Sequence, residues 1–389
     1  MADYVTRGSL ARPRPFEESR VADYVRRLDW LLLGAVAALV GYGLWVVAGV
    51  TRDDIVGDER YFVTRQSFSI ALGCLALVGA TLIDPGLYRR HKRVVFGLMI
   101  ALLMVVVVAG TEVRGSQRWL DLGFYRFQPS EFSKLLLVLF LAAFLADRVK
   151  RIGETRTVAA AVGFAAMPTL LVFLQPDIGT ALVYAAGLAA VLFFAGARWL
   201  HLAVLAAVGA FMVMFVLWLG PAAGLQILKP YQTARLTAFA NPENDPGGAG
   251  YNVDQSITAV GAGGLRGRGV DNATQTNLDY LPEHATDFVF ASLAEQRGFL
   301  GASILLLLYL LVIWRALKII AAARDAFAAM VSGAIAFILL FQIFVNVGMT
   351  IGLAPVTGIP LPFVSFGGSA MVMNLAAIGV LQAIAVRRR

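Results

Sequence analysis

Apolar residues run along this chain in long blocks, separated by short polar or basic clusters. The blocks fall at approximately 29–50, 66–83, 94–110, 133–147, 158–174, 179–196, 199–219, 288–314, 326–350 and 366–386. A run of about 20 apolar residues is long enough to cross a bilayer as a helix. The pattern predicts an all-α polytopic membrane protein with about ten transmembrane helices. Residues 1–28 form a polar tail, 29–389 a single membrane domain, and 221–286 a long loop between the seventh and eighth spans. The fourth block is short, and the eighth begins with a polar turn.

Composition narrows the class further. The 389 residues are enough for two or three soluble domains, but 59% are hydrophobic and only 15% charged, too few charges for such surfaces. The net charge of +8 is no sign of a nucleic-acid partner, because the positive residues sit mainly in short loops between apolar runs. Ten spans put both termini on one side. That side holds 21 of the 33 lysines and arginines against ten in the opposite loops, which makes it cytoplasmic. The single cysteine, Cys74, excludes a disulfide framework, and the scattered His91, His201 and His284 argue against a zinc or iron cluster. The polar, basic first 28 residues read as a cytoplasmic tail rather than a cleaved leader.

The polar, glycine and proline residues concentrate on the opposite, outward face. They lie in "RGSQRWLDLGFYRFQPSEFSK" (114–134), "QPDIG" (175–179), the loop 221–286 and "PVTGIPLPFVSFGGSA" (355–370). A connection of that length is far beyond the ordinary and is usually functional or disordered. Asp287 stands where this loop meets the eighth span. On its own it reads most simply as a helix cap. With Glu295 eight residues on and on the same helical face, it instead suggests a polar cavity in which a carboxylate acts as a general base.

The other candidates divide in the same way. Glu131 and Lys134 are spaced for an ordinary helical ion pair, but a lysine opening an apolar span is also a functional-site candidate. Ser130 is a possible N-cap for that helix. Arg114 and Arg118, with Gln128 nearby, could hold an anionic headgroup or pyrophosphate, because guanidinium matches phosphate oxygens bidentately. Asp177 in "QPDIG" is either a turn former or part of the same cluster as Gln175. "GAGGLRGRG" (261–269) lacks dinucleotide-binding spacing, which leaves a hinge with Arg266 and Arg268 available to phosphates. Ser365 lines a cavity or caps the last helix. No catalytic serine triad, zinc-protease motif or Walker loop is present in the sequence. These residues alone fit either a lipid-linked anionic substrate or a transported ion.

Taken together in order, "QRWLDLG…RFQPSEFSK", "LQPDIGT", "NPENDPGGAGYN…QS", "GGLRGRG", "LDYLPEHATDFVFASLAEQRG" and "PVTGIPLPFVSFGGSA" resemble the SEDS family (shape, elongation, division and sporulation). "TQTNLDYLPE" and "VTGIPLPFVS" are more similar to its RodA branch than to its FtsW branch. Two positions depart from the pattern: Ala285 stands where the family usually has histidine, and Arg297 replaces a usual apolar residue and adds a cation beside Glu295. The resemblance implies a peptidoglycan glycosyltransferase of the bacterial inner membrane, polymerising lipid II on the outer face during elongation. It implies Asp287 as the catalytic carboxylate, Arg114, Arg118, Gln128, Lys134 and Arg266 on substrate pyrophosphate, and Glu131, Gln175, Asp177, Glu295 and Ser365 in support. A divalent cation, magnesium or manganese, is a candidate helper, with no organic cofactor. The implied partners are a class B penicillin-binding protein transpeptidase and the elongation machinery. The rival readings are a lipid II flippase or proton-coupled transporter, a structural scaffold for the wall machinery, or the division-type paralogue with the same chemistry.

Overall fold

The computed structural model describes residues 18–55, 57–113, 116–123, 125–219 and 248–387. Each of the ten apolar blocks forms a helix. They are α2 (Trp30–Val50), α3 (Tyr61–Leu82), α5 (Lys92–Ala109), α6 (Pro129–Ala146), α7 (Thr155–Leu174), α8 (Ile178–Phe194), α9 (Trp199–Met214), α12 (Val289–Ala321), α13 (Ala326–Thr350) and α14 (Gly368–Val386). Four shorter α-helices complete the described α-helical set: α1 (Glu18–Arg26), α4 (Pro85–Arg90), α10 (Ala249–Gly263) and α11 (Thr274–Asn277). Among the described residues, eight helices are long and apolar enough to cross a membrane, while α8 and α9 are apolar but have 17 and 16 residues.

Local chemistry sets many of the boundaries. Asp29 and Asp325 cap α2 and α13, accepting from Leu32 N at 3.0 Å and Ala328 N at 2.8 Å. These bonds satisfy amides that a helix start otherwise leaves open. Within α12, Gly298 adopts φ +66°, which breaks the 33-residue helix at a kink.

The bundle is organised around its last helix, of whose apolar window 94% is buried, against 17% for α3. The two pack closely because Gly379 of α14 lies against the backbone of α3, where a Cβ would overlap the carbonyl oxygen of Leu77. Small residues permit such backbone approach, and packing of this kind drives helix association in lipid, where no hydrophobic effect separates helix from tail. Helix α9 buries none of its residues.

The first and last described segments lie at one end of the bundle. Tyr24 donates to Thr81 O, Arg387 donates to Leu82 O and lies 3.8 Å from Asp84, and Arg315 pairs with buried Asp29. The opposite end departs from an all-helical expectation. A small antiparallel sheet there consists of β1 (Thr111–Val113), β2 (Ser116–Asp121) and β3 (Arg126–Phe127), with Leu120 facing Phe127. The described part of the long loop contributes α10, which packs on α12 and α13, and the short α11.

Candidate functional site

The turn before α12 carries Asp287, and its geometry revises the sequence reading. The helix begins at Val289 with Phe288 at the N-cap position, so Asp287 stands in the turn before the helix and not at its N-cap. It therefore shares no helical face with Glu295. Three groups hold the backbone around it. Ser365 Oγ donates to Thr286 O at 2.6 Å, Phe366 N to Ala285 O at 2.9 Å, and Asn346 Nδ2 to Asp287 O at 2.9 Å. Asn346, fully buried on α13, also donates to Ile359 O at 2.8 Å. Ser365 in turn accepts from Leu361 N at 2.8 Å, so it is neither the cap of α14 nor a free cavity residue. Gln66 of α3 donates to Ser365 O at 3.2 Å from the other side. The carboxylate of neighbouring Glu283 accepts from Thr286 Oγ1 at 2.8 Å.

The segment 355–370 connects this turn to the second cluster. Four residues after Ser365, Ser369 Oγ accepts from Gln128 N at 2.9 Å and donates to Arg126 O at 3.2 Å. Gln128 Nε2 reaches Ser130 Oγ and Asp177 Oδ2, both at 3.2 Å. Asp177 is the N-cap of α8: its Oδ1 accepts from Thr180 N at 3.1 Å and its Oδ2 from Thr180 Oγ1 at 2.9 Å. Arg118 lies along the same turn, donating to Gln175 O at 3.3 Å and to Pro176 O, with Nη1 3.6 Å from Asp177 Oδ1. Gln175 Nε2 donates to Leu103 O at 3.1 Å. Arg118, Gln128, Gln175 and Asp177 are thus one network, but Arg118 serves it as an anchor of the turn.

Lys134 is more enclosed than its proposed contact with phosphate requires. Its Nζ lies 2.7 Å from Glu131 Oε2, and both side chains are about 2–3% exposed. The ordinary ion pair at three-residue spacing is what the structure contains, here buried in the first turns of α6. Lys134 and Asn374 border a cavity of about 20 Å³ whose other walls include Val138, Ile335, Leu339 and Met373. That is room for about one water. Gln128 occupies the N-cap position of α6 with Pro129 following, so Ser130 is not the cap.

Glu295 and the glycine-rich segment have structural partners. The Glu295 carboxylate is fully buried and accepts from Gln275 N at 2.9 Å, Thr276 N at 3.0 Å and Thr276 Oγ1 at 2.8 Å. It fixes the start of α11 rather than facing Asp287. The nearby Arg297 turns away from it, its guanidinium 4.0 Å from the centre of the Trp45 ring. Residues 264–269 pair with the α12 backbone around its kink: Arg268 N donates to Glu295 O, Gly269 N to Gln296 O and Phe299 N to Gly264 O. Gly267, at φ +80°, lies where a Cβ would collide with Gln296 O, which explains the glycine without a phosphate. Arg266 is exposed on this segment. Arg114 lies outside the described residues.

Sequence reasoning passed over Asn346, Gln66, Ser369 and Asp54. His284 Nε2 is 3.0 and 3.1 Å from the Asp54 oxygens, and Nδ1 is 3.2 Å from Leu281 O. Burial disfavours the charged imidazole, but the hydrogen bond and charge of Asp54, aided by Leu281 O and Asp279, hold its pKa above the usual value.

Known proteins match along nearly the full length. "Peptidoglycan glycosyltransferase MrdB" of Escherichia coli (strain K12) is 38% identical over 362 residues, covering 93% of this chain and 94% of the relative. One chain of the structure described as "Structural coordination of polymerization and crosslinking by a peptidoglycan synthase complex" superposes with a TM-score of 0.78 at 31% identity, covering 92% of this chain and 97% of that one. The crystal structure of the rod shape determining protein RodA of Thermus thermophilus gives 0.69 at 28% identity, with 93% and 97% covered. The family model FTSW_RODA_SPOVE, described as "Cell cycle protein", matches residues 27–389, and the chain belongs to that family.

Proposed function

We propose that this chain is a peptidoglycan glycosyltransferase of the RodA type, which polymerises lipid II on the outer face of the bacterial inner membrane. Asp287 is its general base. The single observation that carries the reading is the hold on the Asp287 turn from Ser365, Phe366 and Asn346, by a segment that also reaches Gln128 through Ser369. A base contributes most when its backbone is fixed before substrate arrives. The name of the relative MrdB and the matched synthase complex support the substrate class and a transpeptidase partner of the class B penicillin-binding type.

In this mechanism Asp287 takes the proton of the acceptor sugar's 4-hydroxyl as that oxygen attacks the donor's anomeric carbon. The bond from that carbon to the pyrophosphate oxygen breaks, the configuration inverts, and undecaprenyl pyrophosphate leaves with the electron pair. No covalent glycosyl-enzyme forms. The Arg118–Gln128–Asp177 network shapes the far side of the site, and exposed Arg266 is a candidate contact for the leaving diphosphate. A divalent cation, when bound, supplies charge neutralisation for phosphate oxygens.

The test is reconstitution. Purified chain with its transpeptidase partner is given lipid II, and products are resolved by gel. Glycan polymer insensitive to transpeptidase inhibitors is expected. Translocation of lipid II across vesicles with no polymer would support the flippase reading and sink this one.

A further inference from the structure

Three side chains that the proposed chemistry does not use converge beside the turn bearing Asp287. Asp54 lies in the connection between α2 and α3, Asp279 follows α11, and His284 stands three residues before Asp287. Single ligand-type atoms from the three, two carboxylate oxygens and one ring nitrogen, lie within 4.8 Å of one another. They come from chain segments more than 200 residues apart, with Asp54 and His284 separated by 230 positions.

The histidine is oriented as a ligand. Its Nδ1 faces the carbonyl oxygen of Leu281 at 3.2 Å. A carbonyl only accepts, so Nδ1 carries the proton and Nε2 presents its lone pair to the carboxylates when the ring is neutral. Metal-ligating histidines are set in this way, with the second nitrogen fixed by a backbone carbonyl. His284 is 8% exposed, whereas Asp54 and Asp279 sit on exposed segments, so the pocket has a rigid wall and an open rim. A protonated imidazole pairs with Asp54 alone at 3.0 Å, and this leaves two carboxylates facing one positive charge. A divalent ion matches both.

We propose that Asp54, Asp279 and His284 form a divalent cation site of the manganese or magnesium type, which clamps the α2–α3 connection to the segment leading into Asp287. Two carboxylates and one imidazole suit a hard to borderline ion. Ligands on opposite sides of such an ion stand about 4 Å apart, so the exposed aspartates close on it by moving about 1 Å or less. Three protein ligands leave about three octahedral positions for water or for oxygens of an anionic substrate. That last role rests on the glycosyltransferase reading; the site does not. Of the basic residues nominated from sequence for the diphosphate, Arg118 and Lys134 have partners elsewhere and take no part in it.

The experiment titrates metal-stripped, full-length protein in detergent with Mn²⁺ alone, without lipid substrate, and follows the ion by electron paramagnetic resonance. One saturable Mn²⁺ per chain is expected, with nitrogen coupling from a directly bound imidazole. Asp54→Asn and Asp279→Asn should each weaken binding tenfold or more, and His284→Gln should abolish the nitrogen coupling. Thermal midpoints establish that the variants are folded. Should any variant fail to fold, the nitrogen coupling in the unsubstituted protein decides alone. No saturable binding, binding without nitrogen coupling, or affinity indifferent to all three substitutions would overturn the proposal. No turnover is measured, so a failed polymerase reading would leave this result readable.

Discussion

Replacing Asn346 with leucine tests whether the hold on the Asp287 backbone matters for chemistry separately from folding. The side chain is fully buried, and its Nδ2 donates to Asp287 O at 2.9 Å and Ile359 O at 2.8 Å. Both partners are acceptors, which fixes the amide orientation and leaves Oδ1 buried with no partner. Leucine removes both donors, and each abandoned buried carbonyl costs about 1–3 kcal/mol. It also removes the unpartnered Oδ1, which offsets a cost of similar size, and bonds inside membrane bundles are worth only about 0.6 kcal/mol on average. The net loss of stability should be about 2 kcal/mol or less. Positioning has no such offset. If release of the Asp287 carbonyl raises the barrier by about 1.4–2.8 kcal/mol, the rate falls about 10–100-fold. The assay is lipid II polymerisation by protein with its partner, with kcat and KM separated. Asn346→Leu should lower kcat with little change in KM and a small shift in melting. In an Asp287→Ala background it should have no further effect. A variant polymerising within twofold of the parent would refute the reasoning.

Further predictions follow from other contacts. Glu295→Gln places an amide against three donors and loses at least one charge-assisted bond, about 1.5–3 kcal/mol, so residues 264–283 should become more open to protease with the α12 helix intact. Asp177→Ala removes the α8 cap and should destabilise by about 1 kcal/mol, read as a lower melting temperature; an unchanged melting temperature would contradict the capping role. Gly379→Val should abolish folding or lower the melting temperature severely, because the α3 backbone leaves no room, and a stable variant would contradict the packing. The raised pKa of His284 keeps a proton on the ring to higher pH, and that proton must leave before a metal binds, so Mn²⁺ affinity should climb as pH rises and fall on acidification. A pH-independent affinity would contradict that site.

What the sequence revealed divides by the range of the interaction. Each long apolar block became a helix because its signal is local and about 20 residues long. Asp177 before the α8 run was legible as a turn former, since turn chemistry is local, but its role as the α8 cap was not read. The strands in 111–127 were not legible: they have two to six residues each, too few to show alternation. Ser365 and Ser369 were equally opaque, because their partners stand 79 and 241 positions away. Asn346 and Gln66 left a usable signal, as lone polar residues inside apolar runs that must find partners or cavities. Asp287 and Glu295 were assigned to one face because the helix was read as starting at Asp287 or just after it, whereas it starts at Val289 with Phe288 at the N-cap position, which leaves Asp287 in the preceding turn.

The most direct test of the account is the single-turnover rate of Asp287→Asn, measured beside its affinity for lipid II. Asparagine keeps the shape, the Asp287 O bond from Asn346 and the Thr286 O bond from Ser365, but cannot accept the hydroxyl proton. The account expects lipid II binding within a few-fold of the parent and polymerisation reduced by 10²-fold or more, the usual contribution of a general base. Normal polymerisation by this variant would show that the reaction draws its base from another residue.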